Sequence, residues 1–218
     1  MRIYFPETSI GSGLYIRDAC LDYTKELIPL NPDKVEYLFL HHIDAKAATP
    51  QEVHSWHLKK GWHGAGYNFY VRKDGSIWAM RGYYIGAQCH GHNSKSLGIA
   101  VEGDYEAETQ LTNEASASVV ALGAYLMCRY PGIKDENILP HRARQATLCP
   151  GTNFPMWEIR DDITKERHWS DPYMTRIQEE GLIVGEHKPS DPVTWAELSA
   201  VLTRLLDKSI KSKEGVDV

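Results

Sequence analysis

Three side chains in this sequence have the chemistry and the spacing of a metal site. His41 begins a His-His pair at the end of the apolar run 37–40, and His141 and Cys149 lie close together in a later segment. Imidazole and thiolate ligands suit Zn²⁺ better than Mg²⁺ or Ca²⁺. A catalytic zinc typically keeps three protein ligands and leaves one position for water. Spacing alone leaves a second interpretation open, because buried histidines and cysteines commonly serve only in packing.

Strands and helices alternate along the part of the chain that carries these residues. Short apolar runs predict buried strands at residues 35–40 and 97–103, and residues 138–141 predict a short strand or an extended segment that delivers His141. An Asp-Gly turn predicts a hairpin between residues 67–72 and 76–80. His41 would lie at the end of a strand, where ligand sites of α/β sheets gather.

Helix signals separate these strands. Thr49 and Glu52 form a capping box that begins a helix, and Gly61 can end it. Two more helices are predicted, one from Thr112 to Tyr130 and one over about 155–168. The alternation predicts an α/β fold with a central mixed β-sheet flanked by helices.

Composition excludes several classes of protein. The chain has 218 residues and a formal net charge of −5, which argues against nucleic acid as a partner because phosphate binding needs a basic face. No run approaches the ~18 apolar residues of a membrane span, and we see no signal peptide. The four cysteines form no CxxC pair, which favours a reducing compartment. We therefore expect synthesis in the cytoplasm and no membrane insertion.

The motifs, in this order, resemble the zinc-dependent N-acetylmuramoyl-L-alanine amidases, a family that includes phage lysozyme-amidases and animal peptidoglycan recognition proteins. The resemblance covers roughly residues 35–160. It is carried by His41-His42, Trp56-His57, Gly61-Trp62, Gly66-Tyr67-Asn68-Phe69, Asp74-Gly75, Asn93 to Ala100, Glu102-Gly103, His141-Arg142 and Cys149-Pro150-Gly151.

The resemblance implies a zinc ion held by His41, His141 and Cys149. It implies hydrolysis of the amide bond between N-acetylmuramic acid and L-alanine in peptidoglycan or in muropeptides. Tyr67 and Thr147 resemble residues that act on the attacking water or on the oxyanion. The alternative interpretations are a tyrosine packed in a strand and an ordinary loop threonine.

Three further residues match positions on the substrate side of the site. His42 would line the site, and Trp62 and Asn93 would lie near the substrate groove. Trp62 could equally be a core residue, and Asn93 a turn residue. Many relatives have a histidine where this chain has Gln88, which puts contacts with substrate in doubt rather than the zinc site.

The sequence pattern of the C-terminal tail, residues 169–218, differs from that of the rest of the chain. We therefore divide the chain into a catalytic domain, 1–168, and a small helical segment, 169–218. The tail predicts a helix at 172–181 and a second helix that begins with a capping box at Thr194 and Glu197. That helix carries an apolar stripe suited to docking, homodimer formation or cell-wall binding, formed by Leu198, Val201, Leu202 and Leu205. The tail is weakly similar to one S-layer homology unit, a cell-wall-binding module.

These observations favour a phage or prophage endolysin that reaches the cell wall after holin-type release. Two alternatives stay open: a cytosolic amidase that recycles muropeptides, and a peptidoglycan-binding protein without activity. The presence of Cys149 favours catalysis.

Overall fold

The computed structural model describes residues 1–11, 13–167, 177, 180–183 and 193–214. The chain divides into two compact units, Met1–Arg167 and His168–Val218. Within the described residues, no helix has both the length and the apolar character that crossing a membrane requires.

A seven-stranded mixed sheet forms the centre of the first unit. Its strands are β1 (Thr8–Gly11), β2 (Leu14–Asp18), β3 (Tyr37–His42), β4 (Phe69–Val71), β5 (Ile77–Ala79), β6 (Ser96–Val101) and β7 (Ile138–Pro140). Their order across the sheet is β1-β2-β5-β4-β6-β3-β7. The pairs β1–β2 and β4–β5 are antiparallel, and the other neighbours are parallel. The predicted α/β fold with a mixed sheet is confirmed.

Local signals account for most of these elements. All six residues of β6 are buried, and so are the last five of β3, as expected for parallel strands covered on both faces. The predicted hairpin forms around Gly75, whose φ of 80° places it in the left-handed region. The hairpin β1–β2 was not among the predicted strands, because its strands are short, are joined through glycines and carry little apolar patterning.

Three helices of the first unit are α1 (Pro50–Lys59), α2 (Asn113–Arg129) and α3 (Met156–Arg167). The Thr49–Glu52 capping box at the start of α1 is formed. Helix α2 packs against α3 and against strands β1, β4 and β6. Gly123 allows that close approach, because a Cβ there would lie 2.6 Å from the side chain of Ile163 on α3.

In the second unit, helix α4 (Trp195–Glu214) begins at the predicted capping box. The Thr194 amide donates to Glu197 Oε2 at 2.8 Å, and the Glu197 amide donates to Thr194 Oγ1 at 3.2 Å. Three leucines of the predicted apolar stripe are 38–49% exposed, namely Leu198, Leu202 and Leu205. The predicted helix at 172–181 lies almost wholly outside the described residues.

Candidate metal centre

Strand register brings the two predicted histidine ligands together. His41 and His42 are the last two residues of β3. Strand β7 pairs in parallel with β3, with Leu40 opposite Pro140. The residue after each of these is a histidine, so His41 and His141 become neighbours, with ring centroids 4.5 Å apart. Two separate strands therefore present imidazoles at the same edge of the sheet.

A loop after β7 returns the third predicted ligand to the same place. The Arg142 amide donates to the Cys149 carbonyl at 2.9 Å, and Arg142 Nη1 donates to the Gly151 carbonyl at 2.8 Å. These bonds close the loop and direct the Cys149 side chain inward. Cys149 Sγ lies 3.5 Å from His41 Nδ1. One donor atom each of His41, His141 and Cys149 lies within 4.8 Å of the other two.

This donor set fits a zinc ion. Zn–S and Zn–N bonds of about 2.3 and 2.0–2.1 Å at a tetrahedral angle put sulfur and nitrogen about 3.6 Å apart. The 3.5 Å separation of Cys149 Sγ from His41 Nδ1 agrees with that value. The other ring nitrogen of His41, Nε2, lies 2.6 Å from Gln88 Oε1. Nδ1 is thus the nitrogen of His41 that can face a metal.

Burial controls the protonation of these three groups. His41 is only 1% exposed, and burial lowers its pKa to about 3, aided by repulsion from His141. Burial also lowers the pKa of His141. Burial raises the pKa of the Cys149 thiol to about 12. Both imidazoles are therefore neutral at pH 7, and a cation is needed to draw the proton from the thiol.

An open cleft of about 240 Å³ adjoins the three residues. Its walls are His42, Ile43, Asp44, Val53, Trp56, His57, Lys60, Tyr67, His141, Thr147 and Cys149. The cleft therefore contains two predicted ligands and both predicted catalytic residues, Tyr67 and Thr147. Asp44, Trp56 and Lys60 also line the cleft, although the sequence motifs assign none of them a role in the site. Its position two residues after the His-His pair is the signal by which Asp44 could have been found from the sequence. Its φ of 56° places its backbone in the left-handed region.

Tyr67 and Thr147 both have hydrogen atoms that can face the cleft. Tyr67 Oη donates to the His42 carbonyl at 3.4 Å, a long bond, and its ring centroid lies 5.2 Å from that of His41. Burial raises the pKa of Tyr67 above its usual value, so the phenol stays protonated. Thr147 Oγ1 accepts a bond from the Cys149 amide at 3.3 Å, which leaves its own hydrogen free to donate.

The predicted substrate-side residues lie in different environments. His42 lines the cleft, while its Nδ1 accepts a bond from the Tyr105 amide at 3.2 Å. Trp62 is 42% exposed and stacks on His57 with centroids 4.7 Å apart, so the core alternative is wrong. Asn93 does not line the cleft. Its Oδ1 accepts bonds from the amides of Gln88 and Cys89, both at 2.9 Å. Asn93 therefore acts as a turn residue, which was the alternative interpretation.

Two other polar residues, Gln88 and Glu102, are buried and take part in hydrogen-bond networks. Gln88 contacts His41 and not the substrate groove. Glu102 is a buried carboxylate, only 2% exposed. Its oxygens accept from the amides of Ala48 at 2.9 Å and Lys73 at 2.8 Å. Glu102 also pairs with Arg72 at 3.2 Å, so it joins segments of the fold.

Comparison with known proteins agrees with this geometry. Residues 31–152 match the family model described as N-acetylmuramoyl-L-alanine amidase. An endolysin of Klebsiella phage KP32 is 26% identical over 139 residues, which is 60% of this chain and 90% of the relative. Peptidoglycan-recognition protein SC2 of Drosophila melanogaster is 33% identical over 137 residues, 58% of this chain and 73% of the relative.

Among solved structures, the endolysin amidase LysCS from Clostridium intestinale URNW superimposes with a TM-score of 0.63 and 32% identity. The superposition covers 71% of this chain and 99% of LysCS. The family match spans more than half of the chain and includes both strand-end histidines and the cysteine. The chain therefore belongs to the N-acetylmuramoyl-L-alanine amidase family.

Proposed function

We propose that this protein is a zinc-dependent amidase that cleaves the bond between N-acetylmuramic acid and L-alanine in peptidoglycan. One observation carries the proposal. Donor atoms of His41, His141 and Cys149 converge within 4.8 Å beside a cleft, although His41 lies far from the other two in sequence. Membership of the amidase family supports the substrate class.

His41, His141 and Cys149 would hold the ion. A zinc ion bound there would lower the pKa of a coordinated water and polarise the amide carbonyl. The two histidines are uncharged at neutral pH, because burial lowers their pKa values. They therefore offset none of the positive charge of the ion, and the Cys149 thiolate offsets one unit of it.

Tyr67 and Thr147 would stabilise the oxygen of the substrate carbonyl as negative charge develops on it. The Tyr67 phenol is protonated and donates to the His42 carbonyl over a long distance of 3.4 Å, so it can turn toward the cleft. Thr147 accepts from the Cys149 amide and keeps its hydroxyl hydrogen for the substrate. Donors already oriented in a cleft favour the transition state over the ground state.

Contacts with substrate would come from His42 and from the aromatic pair of His57 and Trp62. His57 lines the cleft, and Trp62 stacks on it and extends the aromatic surface outward. Asn93 would act indirectly, since its side-chain oxygen holds the turn that contains Gln88 and Cys89.

Metal analysis combined with an activity assay tests this proposal. The purified protein should contain about one zinc per chain and should release new L-alanine amino ends from purified cell walls. A His41→Ala, Cys149→Ala double variant should lose both properties. A His63→Ala, Cys20→Ala double variant is the matched control, since it removes the same residue types at exposed positions. Full zinc occupancy in the first variant would refute the site.

We further propose that the protein is an endolysin that reaches the wall after holin-type release. Its similarity to the endolysin of phage KP32 and to LysCS supports this role. Cells that express the protein in the cytoplasm should grow normally, and should lyse only when their inner membrane is permeabilised. Cleavage of soluble muropeptides without any cleavage of intact walls would instead indicate the recycling amidase.

A further inference from the structure

We propose that Gln88 is a positioning residue that fixes the metal-binding tautomer of His41. The proposal concerns a contact between two buried side chains, and it rests on the zinc site proposed above. Gln88 Oε1 lies 2.6 Å from His41 Nε2, and both residues are buried. An amide oxygen can only accept a hydrogen bond, so His41 must carry its proton on Nε2. The lone pair of Nδ1 then faces Cys149 Sγ, 3.5 Å away.

A second buried bond fixes which end of the amide faces His41. Gln88 Nε2 donates to Ser96 Oγ at 2.8 Å, and Ser96 Oγ in turn donates to the His92 carbonyl at 2.8 Å. Because the Ser96 hydrogen is used on a carbonyl, its oxygen must accept from an N–H group. The amide nitrogen of Gln88 therefore points to Ser96 and its oxygen to His41.

The backbone around Gln88 also holds this arrangement. Asn93 Oδ1 accepts a bond from the Gln88 amide at 2.9 Å, which anchors the residue at its main chain. Gly98 on β6 leaves room for the side chain, because a Cβ there would lie 2.8 Å from Gln88 Cγ and Cδ. The position of Gln88 thus depends on four surrounding residues, namely Ser96, Asn93, Gly98 and His41.

A reversed amide would have the opposite effect on the metal site. Its N–H group would face His41 Nε2 and require a lone pair there, which would place the proton on Nδ1. A protonated Nδ1 cannot bind a metal ion. Hydrogen-bond partners of this kind orient metal ligands, and losing one typically costs 10–100-fold in metal affinity.

The test compares zinc affinity across four variants of the full chain, by competition with a chromophoric chelator. Gln88→Met keeps the length of the side chain and removes the acceptor, so zinc should bind about 10–100-fold more weakly. Gln88→Glu keeps an acceptor for His41 Nε2 and should restore affinity close to that of the wild type. Ser96→Ala frees the amide to reverse and should weaken zinc binding less than Gln88→Met does.

Ser118→Ala is the matched control for Ser96→Ala. Ser118 is also buried, and its hydroxyl also donates to a carbonyl, that of Gly75 at 2.7 Å, but it does not belong to the His41 network. The Ser118→Ala substitution should lower the stability of the fold without changing zinc affinity. Equal zinc affinity in Gln88→Met and in the wild type would overturn the proposal.

A measurement on the metal-free wild-type protein separates this proposal from the proposed function. ¹⁵N NMR of the histidine rings should show His41 with its proton on Nε2. A proton on Nδ1 would overturn the role of Gln88 even if the protein binds zinc and cleaves walls. Conversely, a wild-type protein that shows the Nε2 tautomer but binds no zinc would refute the proposed function and leave the hydrogen-bond network intact.

Discussion

At the scale of single residues, the cleft combines groups that burial keeps uncharged. His41 and His141 have lowered pKa values, and Tyr67 and Cys149 have raised ones, in each case mainly because burial disfavours the charged form. Neutral imidazoles have lone pairs for a cation, and a neutral phenol has a proton to donate. The same cause thus prepares one set of groups to bind a metal and another group to stabilise an anion.

Tyr67→Phe should lower turnover by ~10²–10³ while zinc stays bound, because it removes one donor to the developing oxyanion. Initial rates on a soluble muropeptide and the zinc content should be measured on the same sample. Tyr125→Phe is a suitable control, since this half-buried phenol contacts Tyr83 and does not line the cleft. Unchanged turnover in Tyr67→Phe would assign Tyr67 a structural role only.

At the scale of elements, the end of α1 holds one wall of the cleft through two histidines. His54 Nδ1 accepts from the Ala65 amide and His57 Nδ1 accepts from the Gly66 amide, both at 3.0 Å. Both rings must therefore be unprotonated at Nδ1. Burial lowers the pKa of each, that of His57 to about 4. The segment that leads from α1 to Tyr67 depends on these two neutral rings.

This arrangement predicts that stability falls as the pH drops below about 6.5. In that range the unfolded chain protonates His57 at its ordinary pKa near 6.5, while the folded protein resists protonation down to about 4. The unfolded state then binds more protons, so the free energy of unfolding decreases with decreasing pH. The His57 contribution should be about 2 kcal/mol between pH 7 and pH 5.

Urea unfolding at these two pH values measures the effect. His57→Asn is the matched variant, because its Oδ1 can accept from the Gly66 amide but does not titrate. The free energy of unfolding of the variant should fall by about 2 kcal/mol less than that of the wild type over this pH interval. An identical loss in the two proteins would show that His57 titrates normally in the folded state.

At the scale of the whole molecule, every residue proposed to bind zinc or substrate belongs to the unit Met1–Arg167. The second unit carries α4, whose leucines at 198, 202 and 205 are exposed. An exposed apolar stripe on a helix is typical of docking surfaces, so we expect a partner to cover it. The division into a catalytic domain and a docking, oligomerisation or wall-binding segment stays a prediction.

Removal of the tail should leave zinc binding and amide hydrolysis intact. A protein that ends at residue 168 should keep its zinc and cleave small soluble muropeptides at the rate of the full chain. Its activity on intact walls should fall, or its elution volume on gel filtration should change. Leu202→Ser, Leu205→Ser in the full chain should reproduce this effect, because it alters only the apolar stripe. A truncated protein that is folded and zinc-loaded yet inactive on small substrates would show that the tail shapes the active site.

Signals that lie within a few neighbouring residues were sufficient to predict several elements. The capping boxes at Thr49 and Thr194 began helices as expected, and the Asp-Gly turn formed its hairpin. The apolar runs became the buried strands β3 and β6. Caps, turns and buried runs are determined by local hydrogen bonding and by local hydrophobicity, so the sequence alone specifies them. The motif order was also sufficient to identify the amidase family.

Contacts between distant segments were decided only by the tertiary structure. The parallel pairing of β3 with β7 puts His41 beside His141, and nothing local to either strand encodes that register. The same holds for Gln88, which the motif order assigned to the substrate side and whose side-chain oxygen instead lies 2.6 Å from His41 Nε2. Strand order, register and the direction of a buried amide depend on the packing of the whole sheet, because each is selected by partners tens of residues away.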